Sequence, residues 1–263
     1  PKPLMAYQRA LVINDLHIPF HCRPAVELAL RVGDSLAPDR IIINGDLLDC
    51  WEISTFVKHP LRRAKNNLAD EVADARGFLT GLRKRFPKSE IMLIYGNHEY
   101  RWVKFIAAHA QELAKLRGLT LAEQLDCEAL QIKVVDSGNR ESSYQWGKLL
   151  IGHFDLARKH SGYTARGLVE DKGVSLIQAH CHRGGSSFKR CWDRDIVGYE
   201  NFCLCDRNPE YVDRPNWQLG FSLVFKDSAS DFFYVEQHPI SEIAKGGKMT
   251  YRTWYNGEVM TQC

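Results

Sequence analysis

Arg40-Ile41-Ile42-Ile43-Asn44-Gly45-Asp46-Leu47-Leu48-Asp49 reads as a buried strand that runs straight into a polar turn. Three consecutive β-branched residues suit a strand covered on both faces, which shows no alternation of apolar and polar positions. The glycine and two aspartates that follow belong on a loop at the strand's end. The same pattern recurs along the chain. Ala10–Ile13 precedes Asp15-Leu16-His17, Ile91–Tyr95 precedes Gly96-Asn97-His98-Glu99, Leu149–Ile151 precedes Gly152-His153, and Val174–Ala179 precedes His180-Cys181-His182. Polar clusters at successive strand ends gather along one edge of a sheet, where residues distant in sequence converge on one spot.

Between these strands the chain reads as helix. Arg23–Leu36 has helical apolar spacing and Pro24 in its first turn, Asn66–Phe86 is amphipathic and stops before Pro87, and Tyr100–Arg117 runs to a stop at Gly118. Strands separated by helices imply parallel pairing. The second half carries one helix, Tyr163–Lys172. Its strands are predicted at Leu130–Val135, Ser143–Trp146, Lys148–Gly152, Val174–Ala179, Ser187–Trp192, Ile196–Leu204, Trp217–Phe225 and Phe232–Gln237. The polar clusters fall in both halves, so a division between them would split the site. The expected fold is a single α/β domain over 1–244, with two packed mixed sheets flanked by helices in four layers. Residues 245–263 are read as a loosely packed C-terminal extension.

Composition agrees with a globular chain: 263 residues, 44% hydrophobic, 25% charged, net charge +3. No apolar run is long enough to span a bilayer, and Pro1–Arg9 lacks a signal-peptide core. A cytoplasmic location is expected, with the eight scattered cysteines reduced. Cys203-Leu204-Cys205 lacks the second pair a zinc site needs; its cysteines read as alternate strand residues.

Taken singly, each polar cluster has an ordinary explanation. Asp46 could cap a helix, Asn97 could occupy a left-handed turn, and His153 could be a core histidine. Their order and repeated position after apolar runs favour a two-metal site, in which paired cations activate water and neutralise a phosphoryl group. A mixed nitrogen and oxygen donor set suits Mn²⁺, with Fe or Zn²⁺ in range. Cys181 is expected to turn away from the face shared by His180 and His182, and its position suggests sensitivity to oxidation. Glu99 is read as a helix-start residue.

The order D-x-H, G-D-x-x-D, G-N-H-E, G-H and H-x-H resembles the calcineurin-like metallophosphoesterase superfamily over nearly the whole chain. Asp15–His21, Lys159–Arg166 and Pro215–Phe221 resemble a stand-alone bacterial and phage branch. The final motif departs by one residue, with Ala179 where glycine is usual. The resemblance implies that Asp15, His17 and His182 hold one metal and that Asp46 bridges to a second, held also by Asn97, His153 and His180. It implies attack on phosphorus by a hydroxide between the ions. His98 would stabilise the phosphoryl oxygens or protonate the leaving group, oriented by Asp49.

Substrate residues are harder to read. His21, His160, Arg166 and Arg183 are candidates for substrate contact because they follow the ligand loops and suit phosphate. Arg158, Lys159, Lys189 and Arg190 add charge, and Phe154, Tyr163, Phe188 and Trp192 are interleaved with them. Cations with aromatics suit a nucleotide or single strand, although Phe154 and Trp192 could equally fill the space between sheets. Arg62, Arg63, Lys65 and Arg83-Lys84-Arg85 read as solvated faces; His59, His109 and His238 read as surface or packing residues. The favoured function is hydrolysis of a nucleotide-like phosphate mono- or diester. A nuclease and a catalytically silent metal-containing binding protein are the alternatives.

Overall fold

The computed structural model describes residues 7–55, 67–114, 116–138, 141–209, 212 and 214–263, except for the side chain of Lys245. His59, Arg62, Arg63 and Lys65 lie outside the described residues. Elements follow in the order β1 (Tyr7–Ile13), α1 (Arg23–Leu36), β2 (Arg40–Asn44), α2 (Leu68–Arg85), β3 (Glu90–Ile94), α3 (Asn97–His109), α4 (Leu121–Gln124), β4 (Ile132–Val135), β5 (Ser143–Trp146), β6 (Leu149–Gly152), α5 (Tyr163–Lys172), β7 (Ser175–Gln178), β8 (Gly184–Arg190), β9 (Asp195–Asn201), β10 (Gly220–Asp227) and β11 (Phe233–Pro239). Three further strands close the chain: β12 (Ser241–Lys245), β13 (Lys248–Tyr255) and β14 (Glu258–Gln262).

The first sheet has the order β11-β10-β1-β2-β3-β4, and the second β5-β6-β7-β9-β8. Strands β1 to β4 are mutually parallel, as are β6, β7 and β9; β10, β11, β5 and β8 run antiparallel to their neighbours. Alternation along each strand builds the layers. Leu11, Ile13, Ile41, Ile43, Ile91 and Leu93 pack with Leu28 and Val32 of α1 and Leu79 of α2. Ala10, Val12, Ile42, Met92 and Ile94 turn the other way, onto Trp146, Leu149, Ile151 and Ile177 of the second sheet. The far face of that sheet packs through Leu176 and Ile196 on Leu168 and Val169 of α5. The four-layer α/β arrangement expected from the sequence is the one observed. No helix among the described residues is long and apolar enough to cross a membrane.

Local chemistry sets the ends of the helices. Asn67 caps α2 by accepting from Asp70 N at 3.0 Å, and Arg83, Lys84 and Arg85 occupy its last turn, complementing the dipole. These arginines are not simply a solvated face. Arg85 reaches Glu27 at 2.8 Å and Asp34 at 2.6 Å on α1, while Arg83 donates to the carbonyls of Ser89, Leu130 and Gln131. Helix α3 begins three residues earlier than expected because Glu99 reaches back to Gly96 N at 2.8 Å. It ends at His109 rather than Arg117; after Ile106 the next large apolar residue is Leu113, which is largely exposed.

Strands β8 and β9 are displaced toward the N-terminus from their expected positions. Gly184 pairs with Asn201, so β8 starts directly after the last histidine of the site. Phe202 leaves the sheet with φ 59°. The C-terminal strands form an antiparallel meander, and a boundary after residue 244 falls inside β12. Loose packing is not what the segment displays. Tyr251, Tyr255 and Met260 pack against the core that holds α1, and Arg31 donates to Thr261 O at 2.7 Å.

Candidate metal centre

The ligand-bearing loops leave the C-terminal ends of β1, β2, β3, β6 and β7, where parallel α/β sheets gather their sites. Asp15, His17, Asp46, His180 and His182 all have left-handed backbone, with φ of 49°, 49°, 52°, 68° and 56°. Such conformations are unfavourable for residues with a Cβ and persist where surrounding structure fixes them. Gly45, at φ 83°, passes against the imidazole of His153, and Gly96 against Asp46; a Cβ at either would collide.

The seven expected ligands come together in two overlapping groups. In the first, His17 Nε2 lies 3.1 Å from His182 Nε2 and 3.9 Å from Asp15 Oδ1, and His182 Nε2 lies 3.4 Å from Asp15 Oδ1. In the second, Asn97 Oδ1 lies 3.0 Å from His153 Nε2 and 2.8 Å from His180 Nδ1. Asp46 Oδ2 faces both, at 3.7 Å from His17 Nε2 and 3.2 Å from His153 Nε2. Donors about 2.1 Å from one ion lie roughly 3.0–3.4 Å apart; the other separations within the two groups are close to that spacing, while His17 Nε2 and Asp15 Oδ1 stand wider, at 3.9 Å. Two imidazole nitrogens facing each other beside buried carboxylates also make a donor set that suits a cation.

Electrostatics agree. Burial works against the ionised forms of Asp15 and Asp46, but neighbouring histidines hold both carboxyls below the ordinary range. Burial would likewise lower His153, yet Asp46 and Asp15 hold it up to about 10, so the carboxylates demand positive charge at that position. His17 is pushed down to about 4 by burial and by His98, and His180 to about 4 by burial and by His153. Neutral imidazoles are the form that binds metal.

Further contacts aim the ligands. His153 Nδ1 faces Asn44 O at 3.1 Å, which turns Nε2 toward the site. Asn14 donates to Asp15 Oδ2 at 2.6 Å, and Asp155 Oδ1 lies 3.2 Å from His180 Nε2. Glu99 does more than start a helix. Fully buried, it accepts from Asp46 N, Leu47 N and Leu48 N at 2.9, 2.8 and 3.2 Å, clamping the β2 loop to the start of α3. Asp49 is expected to orient His98, but its Oδ1 stands nearer His17 Nδ1, at 3.2 Å, than His98 Nδ1, at 3.5 Å.

His98 Nε2 lies 3.7 Å from Asp46 Oδ2 and 2.8 Å from Arg101 Nη2. Arginine only donates, so Nε2 accepts and the His98 proton sits on Nδ1. Arg101 also donates to Asp49 O at 2.7 Å. The sequence reading missed Arg101, Asp155 and Asn14; a cation one helical turn after His98 was the available signal for the first.

None of the four candidate substrate residues is among those lining the cavity at the metal centre. His21 is half-buried and bridges to Cys205 through its backbone. His160 is exposed beside Tyr163. Arg166 pairs with Glu170 at 3.0 Å on the surface of α5, and Arg183 donates to Arg158 O. Phe154 is buried against α5, outside the two-sheet interface, and Trp192 is fully exposed. His109 is exposed, whereas His238 is buried and stacks on Phe221. Cys181 is buried, and burial and Glu200 push its thiol well above the usual range, against ready oxidation. Cys203 and Cys205 are also buried; burial raises the Cys205 thiol, and its Sγ lies 3.8 Å from His182 Nδ1, the ring nitrogen turned away from His17.

Residues 8–212 match the family of calcineurin-like phosphoesterases. The chain belongs to that family. It is therefore a metal-dependent phosphoric ester hydrolase, and its family typically binds two divalent metals. Two relatives are proteins called Gene 54 protein, from Mycobacterium phages L5 and D29. They are 25% and 24% identical, and each alignment covers 84% of this phosphoesterase and 89% of the relative. They agree with the bacterial and phage branch indicated by the sequence. Among solved structures, Chaetomium thermophilum Vps29 aligns with a TM-score of 0.44 and 12% identity over 98% of each chain. YfcE, a phosphoesterase from E. coli, aligns with a TM-score of 0.39 and 11% identity, over 83% of this chain and 91% of its own.

Proposed function

We propose that this phosphoesterase hydrolyses nucleotide-like phosphate mono- or diesters with two divalent ions, Mn²⁺ favoured over Fe or Zn²⁺. Asp15, His17 and His182 hold one ion, Asn97, His153 and His180 the other, and Asp46 serves both. The observation that carries this reading is the position of Asp46 Oδ2, within 3.7 Å of imidazole nitrogens from both groups. When bound, the ions supply an activated water and neutralise phosphoryl charge.

The chain's own residues do the rest. Asp49 keeps the Nδ1 protons of His17 and His98 on its side, leaving both Nε2 atoms turned toward the reacting groups. Arg101 offers donors to the phosphoryl oxygens, and a substrate oxygen that draws Arg101 away from His98 Nε2 leaves that nitrogen free to carry a proton toward the substrate. Stabilising the phosphoryl oxygens and protonating the leaving group are the two roles open to His98. With all eight cysteines free, we read the location as cytoplasmic.

The test is hydrolysis of a chromogenic phosphodiester and a chromogenic phosphomonoester side by side with Mn²⁺, using Asp46→Asn as control. Metal-dependent turnover lost in the variant is expected, and the preferred ester distinguishes diesterase from monoesterase. A nuclease would add a steeply salt-dependent affinity for DNA or RNA; the exposed Phe188, Lys189, Arg190 and Trp192 are the observation in its favour.

A further inference from the structure

A cavity of about 840 Å³ opens from the metal centre along α3. That volume lies within the range of pockets that enclose a whole small-molecule ligand, roughly 300–1,000 Å³. It is much more than a phosphoryl group needs. Its long wall is one face of a single helix: Asn97, Arg101, Lys104, Phe105 and Ala108 line it, at the spacing of successive helical turns. At 1.5 Å per residue this wall extends roughly 16 Å from the inner ligand. The chemistry changes in order along it, from metal ligand to guanidinium, ammonium and aromatic ring.

The outer end has two features. Phe105 is 41% exposed, with the ring of His109 4.7 Å away and tilted by 45°, so an open aromatic face lies beside the cavity. Lys104 Nζ sits 5.3 Å from the Tyr100 ring. The carboxylates that also line the cavity have partners of their own: Glu52 accepts from Leu68 N at 2.7 Å, and Asp155 faces His180.

We propose that this cavity receives a nucleotide leaving group, with Lys104 binding a second anionic group and Phe105 stacking on the base. The proposal rests on the phosphoesterase reading above and extends it to specificity-determining residues that the ligand loops do not contain. Base stacking on an exposed ring tolerates any base, so selectivity is expected for nucleotides as a class.

The test is calorimetric titration of the Mn²⁺-loaded protein with methylenediphosphonate and with the α,β-methylene analogue of adenosine diphosphate. Neither has a cleavable P–O–P link, and they differ only by the nucleoside. The analogue is expected to bind at least roughly tenfold tighter, as base stacking implies. Phe105→Ala should bring that ratio close to one, and Lys104→Ala should weaken both ligands. Equal affinities in the wild type, or a ratio unmoved by Phe105→Ala, would overturn the proposal. Turnover of the chromogenic esters is scored separately. A wild type that cleaves neither ester defeats the proposed mono- or diester substrate class, while the ligand ratio still decides what the cavity binds.

Discussion

At the scale of single residues, the site divides into groups that hold charge and groups that act on it. Asp46 Oδ2 faces the Nε2 atoms of both groups, at 3.7 Å from His17 and 3.2 Å from His153. Asp46→Asn should therefore lower the content of both metals, measured by elemental analysis of purified protein, and abolish turnover. His98→Ala should leave metal content intact and slow the chemical step by roughly 10²–10⁴-fold. Wild-type rates in that variant would remove His98 from the mechanism. Arg101→Ala tests the reading that Arg101 acts with His98, and should cost roughly 10²-fold in kcat, the scale of one lost oxyanion donor. An effect on KM alone would make Arg101 a binding residue instead.

At the scale of elements, Glu99 joins two loops that each carry site residues. Its carboxylate accepts from Gly96 N at the start of α3 and from three backbone N–H groups of the β2 loop. Burial and Asp46 both push its carboxyl up, so the backbone donors must hold the charge in place. Glu99→Ala strands buried donors that cost about 1–3 kcal/mol each. Urea denaturation should show a loss of at least about 3 kcal/mol, with metal content falling alongside. A loss below about 1 kcal/mol would mean that water replaces the carboxylate and the clamp is unnecessary.

At the scale of the whole molecule, stability should depend on pH through a group outside the metal centre. Glu71 on α2 is pushed up to about 8, from an ordinary 4.5, by burial and by Asp49, against backbone N–H groups that favour its ion. The folded state keeps this proton to higher pH than the unfolded state. Its contribution is therefore full below about 4.5 and is lost as pH rises toward 8. Urea titrations between pH 5 and 8 should show stability falling, with the slope reduced in Glu71→Gln. Parallel slopes would assign the pH dependence to other groups.

The sequence by itself determined the layered α/β fold, because β-branched runs covered on both faces and helical stripes between them have few other solutions. The ligand-type residues were legible for a related reason: each stood immediately after an apolar run, so strand ends located them without knowledge of pairing. Glu99 looked like an ordinary helix-start residue, since its four backbone partners come from two loops more than fifty residues apart in places. The start of β8 was hidden in Gly184-Gly185, which read as loop until pairing with β9 fixed it. The C-terminal meander was hidden because its apolar face meets α1, more than two hundred residues earlier. Only the tertiary structure turned Arg101 toward His98, sent Arg166 to Glu170 on the surface, and opened the α3 cavity. Strand and helix are written in local periodicity; which side chain meets a substrate depends on the packing of elements that have no local signature of one another.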